Sequence, residues 1–285
     1  MKKSSQKTTF ILVHYHAPVI TLRAIRSIYK QAGPHPIILV DNGSTEFELS
    51  TLRGGIEFHK LNVKILTGGG NIGYAGALNL AAKHIKSGYI AIINNDAELE
   101  RGWLPRLIAA LEKDPSIGLV GGIEIDGEKL HYPSLLNIGT LTTAPRKASQ
   151  RTLDVEFVSG SNMLLRAKDF HNWCASYFLY YEDIDACLDL WRRGKRVQLV
   201  PAARVKHEPN TTTSQIPIKR WVYVTRNRYR LGYHYLTAAE LKLLWWRGIK
   251  GDVLGPAMRI LRMLTLKLIA RQRVAGTSFR GLVFN

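Results

Sequence analysis

Apolar positions in the first hundred residues follow two alternating periods. Phe10 to Val13 and Ile37 to Val40 are short continuous apolar runs, and between them Thr21 to Gln31 carries Leu22, Ile25 and Ile28 at helical spacing. That pattern predicts strand, helix, strand. A third run, Tyr89 to Ile93, follows Leu78, Ala81, Ala82 and Ile85, again spaced as one face of a helix. The alternation predicts an α/β chain with a mostly parallel, Rossmann-like sheet flanked by helices. Ligands of such a sheet gather at the carboxyl ends of its strands.

Further along, Trp103 to Lys113 places Leu104, Leu107, Ile108 and Leu111 on one helical face, and Asp114-Pro115 closes it. Residues 126–154 mix Gly, Pro and Thr without clean periodicity, which predicts an irregular stretch leading into a strand at Val155 to Val158. A helix from Glu182 carries Ile184, Leu188 and Trp191 and is capped by Gly194, and a strand at Val197 to Val200 follows. Beyond Pro217 the chain turns basic, helical and rich in Trp, Tyr and Leu. A boundary near residue 215 separates a domain at 1–215 from a helical extension at 216–285. No internal repeat is visible.

Composition sharpens this picture at three points. With 285 residues, 46% of them hydrophobic, the chain buries a substantial core, which excludes disorder. The 40 Lys and Arg against 22 Asp and Glu give +18, an attraction to the phosphates of nucleotides, nucleic acids or anionic lipids. From residue 201 onward only Glu208, Glu240 and Asp252 oppose 16 Lys and Arg, so the basic excess is mainly C-terminal. Cys174 and Cys187 are too few for a disulfide framework or a cysteine-ligated zinc site, which fits a reducing compartment. The opening residues lack a signal-peptide core, and no apolar run is long enough to span a bilayer.

Polar clusters interrupt the apolar runs at predicted strand ends. Asp41-Asn42-Gly43-Ser44 follows the second strand, and it is equally a good turn sequence. Asn94-Asn95-Asp96 emerges abruptly from Tyr89 to Ile93, where a carboxylate can hold a hard divalent cation bridging two phosphates; an ordinary strand-to-loop turn gives the same pattern. His207 follows the apolar stretch Ala202 to Val205 and has a plain structural reading as well. The glycines of Gly68 to Gly76 lie too late in the chain for a dinucleotide fingerprint, and instead let the backbone pass close to a nucleotide, with Asn71 supplying a side-chain contact. Glu182, Asp183 and Asp185 follow the aromatic run Tyr177 to Tyr181. They read either as helix-capping acids or as a source of a general base whose basicity the aromatics raise.

The ordered set of motifs resembles glycosyltransferase family 2, and within it a bacterial rhamnosyltransferase-like subgroup. It consists of the strand before DNGS, GGGNIGYAGALN, the strand with NND followed by Gly102-Trp103, GSNMLLR, and YFLYYEDIDACLDLWRRG followed by VPAARVKHE. The likeness covers roughly residues 8–212. It implies a GT-A fold and a metal-dependent, inverting transfer of a sugar, L-rhamnose in this subgroup, from a nucleotide diphosphate donor such as dTDP-rhamnose or a UDP-sugar. It further implies that Asp41 lies near the donor base, that Asn71, Asn94 and Asn95 lie beside the nucleotide sugar, and that Asp96 and His207 hold Mn2+ or Mg2+. Asp183 becomes the catalytic base, with Glu182 as second choice. The chain departs from the usual pattern at Asn94, where many members carry the first Asp, so the site has one negative ligand fewer.

The C-terminal residues suggest where the acceptor is held. From Ala257, Leu261, Leu264 and Leu268 fall on one helical face with Arg262, Lys267, Arg271 and Arg273 elsewhere, and Trp245-Trp246 lies upstream. Such a segment suits the headgroup region of an anionic membrane, or packs on the catalytic domain with its charge solvated. A lipid-linked saccharide acceptor, used in surface polysaccharide assembly at the inner face of the cytoplasmic membrane, accounts for charge and grease together. Two other classes compete. A sugar-phosphate nucleotidyltransferase would carry a glycine-rich, Arg-containing loop after the first strand, where this chain has His14-Tyr15-His16-Ala17-Pro18. A nucleic-acid-binding protein would explain the charge, but no recognition motif is visible, and no nucleic-acid partner is expected.

Overall fold

A computed structural model of the chain describes residues 7–137, 141–207 and 217–248. Its first half follows the alternation of the apolar pattern: β1 (Thr8–His14), α1 (Pro18–Ala32), β2 (Ile37–Asp41), α2 (Glu46–Phe58), β3 (Val63–Thr67), α3 (Gly73–Ala82) and β4 (Tyr89–Ile93). β1 lies between β2 and β4 and β2 pairs with β3, all in parallel. Every residue of β1, β2 and β4 is buried, so these strands read as continuous apolar runs instead of alternating ones.

Two elements escape the apolar pattern. β3 is the half-exposed end strand and carries Lys64, a charge of the kind that discourages edge pairing. α2 has only the sparse buried stripe Leu49, Leu52 and Ile56, but its start is fixed by a capping box between Thr45 and Glu48.

The second half adds β5 (Ala97–Leu99), α4 (Trp103–Lys113), β6 (Ile117–Asp126), β7 (Lys129–His131), β8 (Leu135–Asn137), β9 (Thr142–Ala144), β10 (Leu153–Asp154), β11 (Asn162–Arg166), α5 (Glu182–Arg192) and β12 (Arg196–His207). The main sheet has ten strands in the order β3-β2-β1-β4-β11-β6-β12-β10, with β5 on β12 and β7 on β6; β8 and β9 form a separate hairpin pair. β11 runs antiparallel between β4 and β6, while β12 is parallel to β6. The fold is thus the expected mostly parallel α/β sheet with helices around it.

The strand expected at Val155 to Val158 does not form. β10 ends at Asp154; Val155 still donates its N–H to the Val197 carbonyl of β12 at 3.0 Å, and Phe157 and Val158 are buried beyond the ladder. Val158 occupies the space that Gly121 leaves open, since a Cβ on Gly121 would sit 2.6 Å from Val158 Cβ. Beyond Val155 the apolar run reflects burial, at Val158 against Gly121 of β6, not strand pairing.

The described residues divide into two compact units, one holding 7–137, 142–207 and 217–231 and the other 141 and 232–248. The first contains the ten-stranded sheet and most of α6 (Pro217–Tyr235). In the second, α7 (Ala238–Gly248) starts at a capping box of Thr237 and Glu240. There Gly232 lets the end of α6 meet α7, because a Cβ would lie 2.8 Å from Leu244 Cδ2. The amphipathic segment from Ala257 to Arg273 lies outside the described residues. No helix among the described residues is long and apolar enough to cross a membrane.

Candidate active site

The carboxyl ends of β1, β2 and β4 bring the first group of polar residues to one edge of the sheet. His14 and Asp41 are register partners at the ends of β1 and β2. Asp41, 6% exposed, accepts the Ser44 N–H at 3.2 Å, so the DNGS sequence is a turn as well as a strand-end carboxylate. Asn42 Nδ2 donates to Asn71 Oδ1 at 3.0 Å, and Asn42 Oδ1 accepts the Ile72 N–H at 2.9 Å. Asn71 Oδ1 also accepts the Gly73 N–H at 3.0 Å. Part of Asn71 therefore works within the chain, tying the glycine segment to the turn after β2.

At the tip of β4 the three consecutive polar residues have different partners. The Tyr74 hydroxyl lies 3.0 Å from Asn94 Oδ1 and 2.9 Å from the Gly160 carbonyl, and shares its one proton between them. Asn95 Nδ2 donates to Thr21 Oγ1 at 3.0 Å, and that hydroxyl is 2.8 Å from His14 Nδ1. Asn95 is thus turned toward α1. Burial pushes the His14 imidazole below its usual pKa, toward the neutral form.

Asp96 Oδ1 is 3.0 Å from His207 Nε2, because β5 pairs antiparallel with β12 and sets Ala97 opposite His207. On the far side of the ring, His207 Nδ1 is 2.9 Å from Glu124 Oε2, and the other Glu124 oxygen accepts the Ser161 hydroxyl. Burial opposes charge on His207, but the two carboxylates outweigh it and raise its pKa to about 10. Burial likewise works against the Glu124 carboxylate, and the His207 and Ser161 hydrogen bonds overcome it and hold Glu124 down at about 2.

This arrangement suits a divalent cation. A carboxylate oxygen and an imidazole nitrogen converge, and Glu124 on Nδ1–H fixes the tautomer that leaves Nε2 free to ligate when the ring is neutral. Among the described residues no group of three His, Cys, Asp or Glu side chains converges as a cage. An ion held by Asp96 and His207 would complete its shell with water and phosphate oxygens, the habit of Mg2+ and Mn2+ at nucleotide sites.

The second group surrounds a cleft of about 410 Å³ lined by Glu124, Tyr132, Phe157, Tyr180, Glu182 and Asp183 among others. Asp183 Oδ2 accepts the Gly160 N–H at 3.1 Å and Oδ1 accepts the Ile184 N–H at 2.8 Å. Glu182 is 6% exposed and its Oε2 has no hydrogen-bond partner among the described residues. Burial raises the pKa of both carboxyls, and the charge on Asp183 raises Glu182 further. The Gly160 and Ile184 N–H groups oppose that rise at Asp183, both of whose oxygens accept hydrogen bonds, while Glu182 is raised to about 8. Asp185 instead accepts the Tyr177 hydroxyl at 3.3 Å. The three acids at the start of α5 therefore have three distinct environments, and capping alone does not describe them.

The two groups are joined. Tyr74 links Asn94 to Gly160, and the Gly160 N–H holds Asp183. The loop before α5 carries three non-glycine residues with left-handed backbone, Phe178, Tyr180 and Tyr181 at φ 66, 70 and 73°, a conformation that costs about 1–3 kcal/mol each. Gly73, at φ +76°, meets this loop closely: a Cβ would lie 2.6 Å from the Phe178 carbonyl oxygen. At least one glycine of the GGGNIGYAG segment thus serves the approach of the aromatic loop.

Sequence reasoning missed Tyr74, Glu124 and Ser161. Glu124 carried a signal, being the first charge after the apolar run Ile117 to Ile123. Tyr74 lay within a segment read for its glycines, and Ser161 carried no pattern of its own.

A sequence model described as Glycosyl transferase family 2 matches residues 9–173, a span that includes Asp41, the β4 tip and Gly160. The chain belongs to glycosyl transferase family 2. Over 248 residues it is 25% identical to the N-acetylglucosaminyl-diphospho-decaprenol L-rhamnosyltransferase of Mycobacterium tuberculosis, covering 75% of this chain and 78% of the relative. Among solved structures, GalNAc-T7 with UDP, GalNAc and Mn2+ matches with a TM-score of 0.65 at 16% identity, over 81% of this chain and 48% of that one, so the chain spans about half its length. The mannosyltransferase PcManGT of Pyrobaculum calidifontis, in complex with GDP-Man and Mn2+, matches with a TM-score of 0.62 at 15% identity, over 93% of this chain and 81% of that one. The fold is GT-A, and the family member is a glycosyltransferase.

Proposed function

We propose that this glycosyltransferase moves L-rhamnose, with inversion, from a nucleoside diphosphate donor, dTDP-rhamnose or a UDP-sugar, to a saccharide acceptor carried on a lipid diphosphate. The mycobacterial relative is named for a reaction of this kind, and the basic, Trp-bearing extension suits work at the inner, anionic face of a membrane. Asp41, Asn71 and Asn94 form the donor side, whereas Asn95, expected there from the sequence, is turned toward Thr21 of α1. Asp96 and His207 would hold Mn2+ or Mg2+, which when bound neutralises the charge building on the departing diphosphate.

The acceptor enters the cleft beside the aromatic loop, where Asp183 takes the proton from its attacking hydroxyl. A sugar hydroxyl is a poor nucleophile, and removing its proton during attack is worth about two to four orders of magnitude. Glu182 stays neutral, which spares Asp183 a repelling charge and keeps it the stronger acceptor. The observation that supports this reading most is the hydrogen-bonded path from Asn94 through Tyr74 and Gly160 to Asp183, which couples the donor end of the sheet to a buried carboxyl group lining a separate aromatic cleft.

A panel of nucleotide sugars with manganese tests the proposal. Release of nucleoside diphosphate should be selective for dTDP-rhamnose or one UDP-sugar, and should accelerate when a lipid-diphosphate-linked N-acetylglucosamine is added. Faster release with a lipid-free saccharide than with the lipid-linked one would overturn the acceptor assignment.

A further inference from the structure

The left-handed residues at Phe178, Tyr180 and Tyr181 need something to hold them, and α6 supplies it from within the same compact unit. Asn227 is 0% exposed, and its Nδ2 lies 2.8 Å from each of the carbonyl oxygens of Tyr177, Leu179 and Tyr180. Two N–H groups are thus shared among three acceptors. Arg226 Nε donates to Asn227 Oδ1 at 3.0 Å and fixes which way the amide faces. Arg226 Nη2 also donates to the Tyr177 carbonyl at 2.8 Å, and Arg230 donates to the carbonyl of Ser176. The Tyr177, Leu179 and Tyr180 carbonyls converge on one nitrogen, while the Phe178 carbonyl between them faces Tyr74.

The clamped loop lies between the two groups of site residues. The Phe178 carbonyl accepts the Tyr74 N–H at 2.7 Å, and Tyr181, the last left-handed residue, is the N-cap of α5, directly before Glu182 and Asp183. Moving the loop would move the first turn of α5, and with it the direction in which Asp183 faces.

We propose that Asn227, oriented by Arg226, is a positioning residue for sugar transfer: it holds the aromatic loop so that Asp183 meets the acceptor hydroxyl, and it does so without touching the donor. The inference rests on the reading of Asp183 as base. Its chemistry demands an amide at this position. Aspartate has the size but presents lone pairs to three carbonyls, and leucine fills the space with no donor.

The test compares Asn227→Leu, Asn227→Asp and Asp183→Asn in the full chain, using the donor and acceptor selected by the panel above. Binding of dTDP with manganese reads the donor site. Hydrogen exchange of the peptide spanning residues 176–185 reads the loop with no substrate at all. Both Asn227 variants should exchange faster in that peptide, bind dTDP within threefold of wild type, and lose roughly 30-fold or more in kcat with little change in donor KM.

Unchanged exchange, or fast exchange with kcat within threefold of wild type, overturns the proposal while leaving Asp183 as base if Asp183→Asn is inactive. An active Asp183→Asn overturns the base instead, and the catalytic part of this proposal with it. Should the Asn227 variants fail to fold, Arg226→Met applies the same criteria at an exposed side chain whose loss removes the orienting hydrogen bond.

Discussion

Replacing Glu124 tests whether Asp96 and His207 form a supported metal site. Glu124 accepts from His207 Nδ1 at 2.9 Å and from Ser161. A hydrogen bond to a charged acceptor contributes about 1.5–3 kcal/mol and one to a neutral acceptor about 0.5–1.5. Glu124→Gln, which preserves shape, thus loses roughly 1.4 kcal/mol of support for the ring, about tenfold in manganese affinity. Glu124→Ala leaves the His207 Nδ1–H and the Ser161 hydroxyl without this acceptor, and should reach about 100-fold. The same carboxylate also favours a proton on His207, but a dication feels its charge about twice as strongly as a proton, so the net sign is weakening. With the His207 pKa raised against its burial to about 10 by Asp96 and Glu124, binding at neutral pH should release its proton, and affinity should rise about tenfold per pH unit below that value. Calorimetric titration of manganese in the presence of dTDP, in two buffers of different ionisation enthalpy, measures the affinity and the proton count together. Equal manganese affinity in wild type and Glu124→Ala, or binding with no proton released at pH 7, would refute the reasoning.

Three further outcomes follow from other parts of the molecule. Gly73→Ala forces a left-handed alanine whose Cβ lies 2.6 Å from the Phe178 carbonyl oxygen, so it should cost about 2 kcal/mol or more and lower Tm by at least about 4 °C; an unchanged Tm in calorimetry would mean that the loop yields freely. The His16 hydrogen bond and the Thr45 cap depress the Glu48 pKa from 4.5 to about 2, so its stabilisation is full above pH 4.5 and is lost as pH falls toward 2. Wild type and Glu48→Gln should therefore differ in Tm at pH 7 and converge by about pH 2, and a gap that persists there would contradict this. Trp246 is 63% exposed, and replacing Trp245 and Trp246 with serine should weaken cosedimentation with phosphatidylglycerol vesicles; undiminished binding would make the pair structural.

What the sequence disclosed depended on whether a residue acts through its local pattern or through a distant partner. β4 and α4 are legible to the residue, because Tyr89 to Ile93 is wholly buried and Trp103 to Lys113 has a clean apolar face. β11 was legible only as part of the GSNMLLR motif, since an antiparallel strand inserted between β4 and β6 leaves no signature of its neighbours. Val155 to Val158 misled because burial and strand pairing give the same apolar run. The site divides in the same way. Asp96 could be named as a candidate ligand from its position after an apolar strand, and His207 through the family resemblance, but their meeting depends on β5 returning to pair with β12. Glu124 acquires a function through His207, 83 residues later, and Tyr74 through Asn94 and Gly160, 20 and 86 residues later; Asn227 acquires one through a loop nearly 50 residues earlier. No local period encodes such contacts.

The central claim is that Asp183, whose two oxygens accept the Gly160 and Ile184 N–H groups beside an aromatic cleft, is the base of a sugar transfer. Turnover and dTDP binding measured side by side for Asp183→Asn and Glu182→Gln test it most directly. The account predicts that Asp183→Asn binds dTDP with manganese within a few fold of wild type and loses roughly two to four orders of magnitude in kcat. Glu182→Gln, which mimics the neutral form, should retain most of its turnover. Near-normal turnover in Asp183→Asn, with Glu182→Gln inactive, would contradict the account and reverse the two roles.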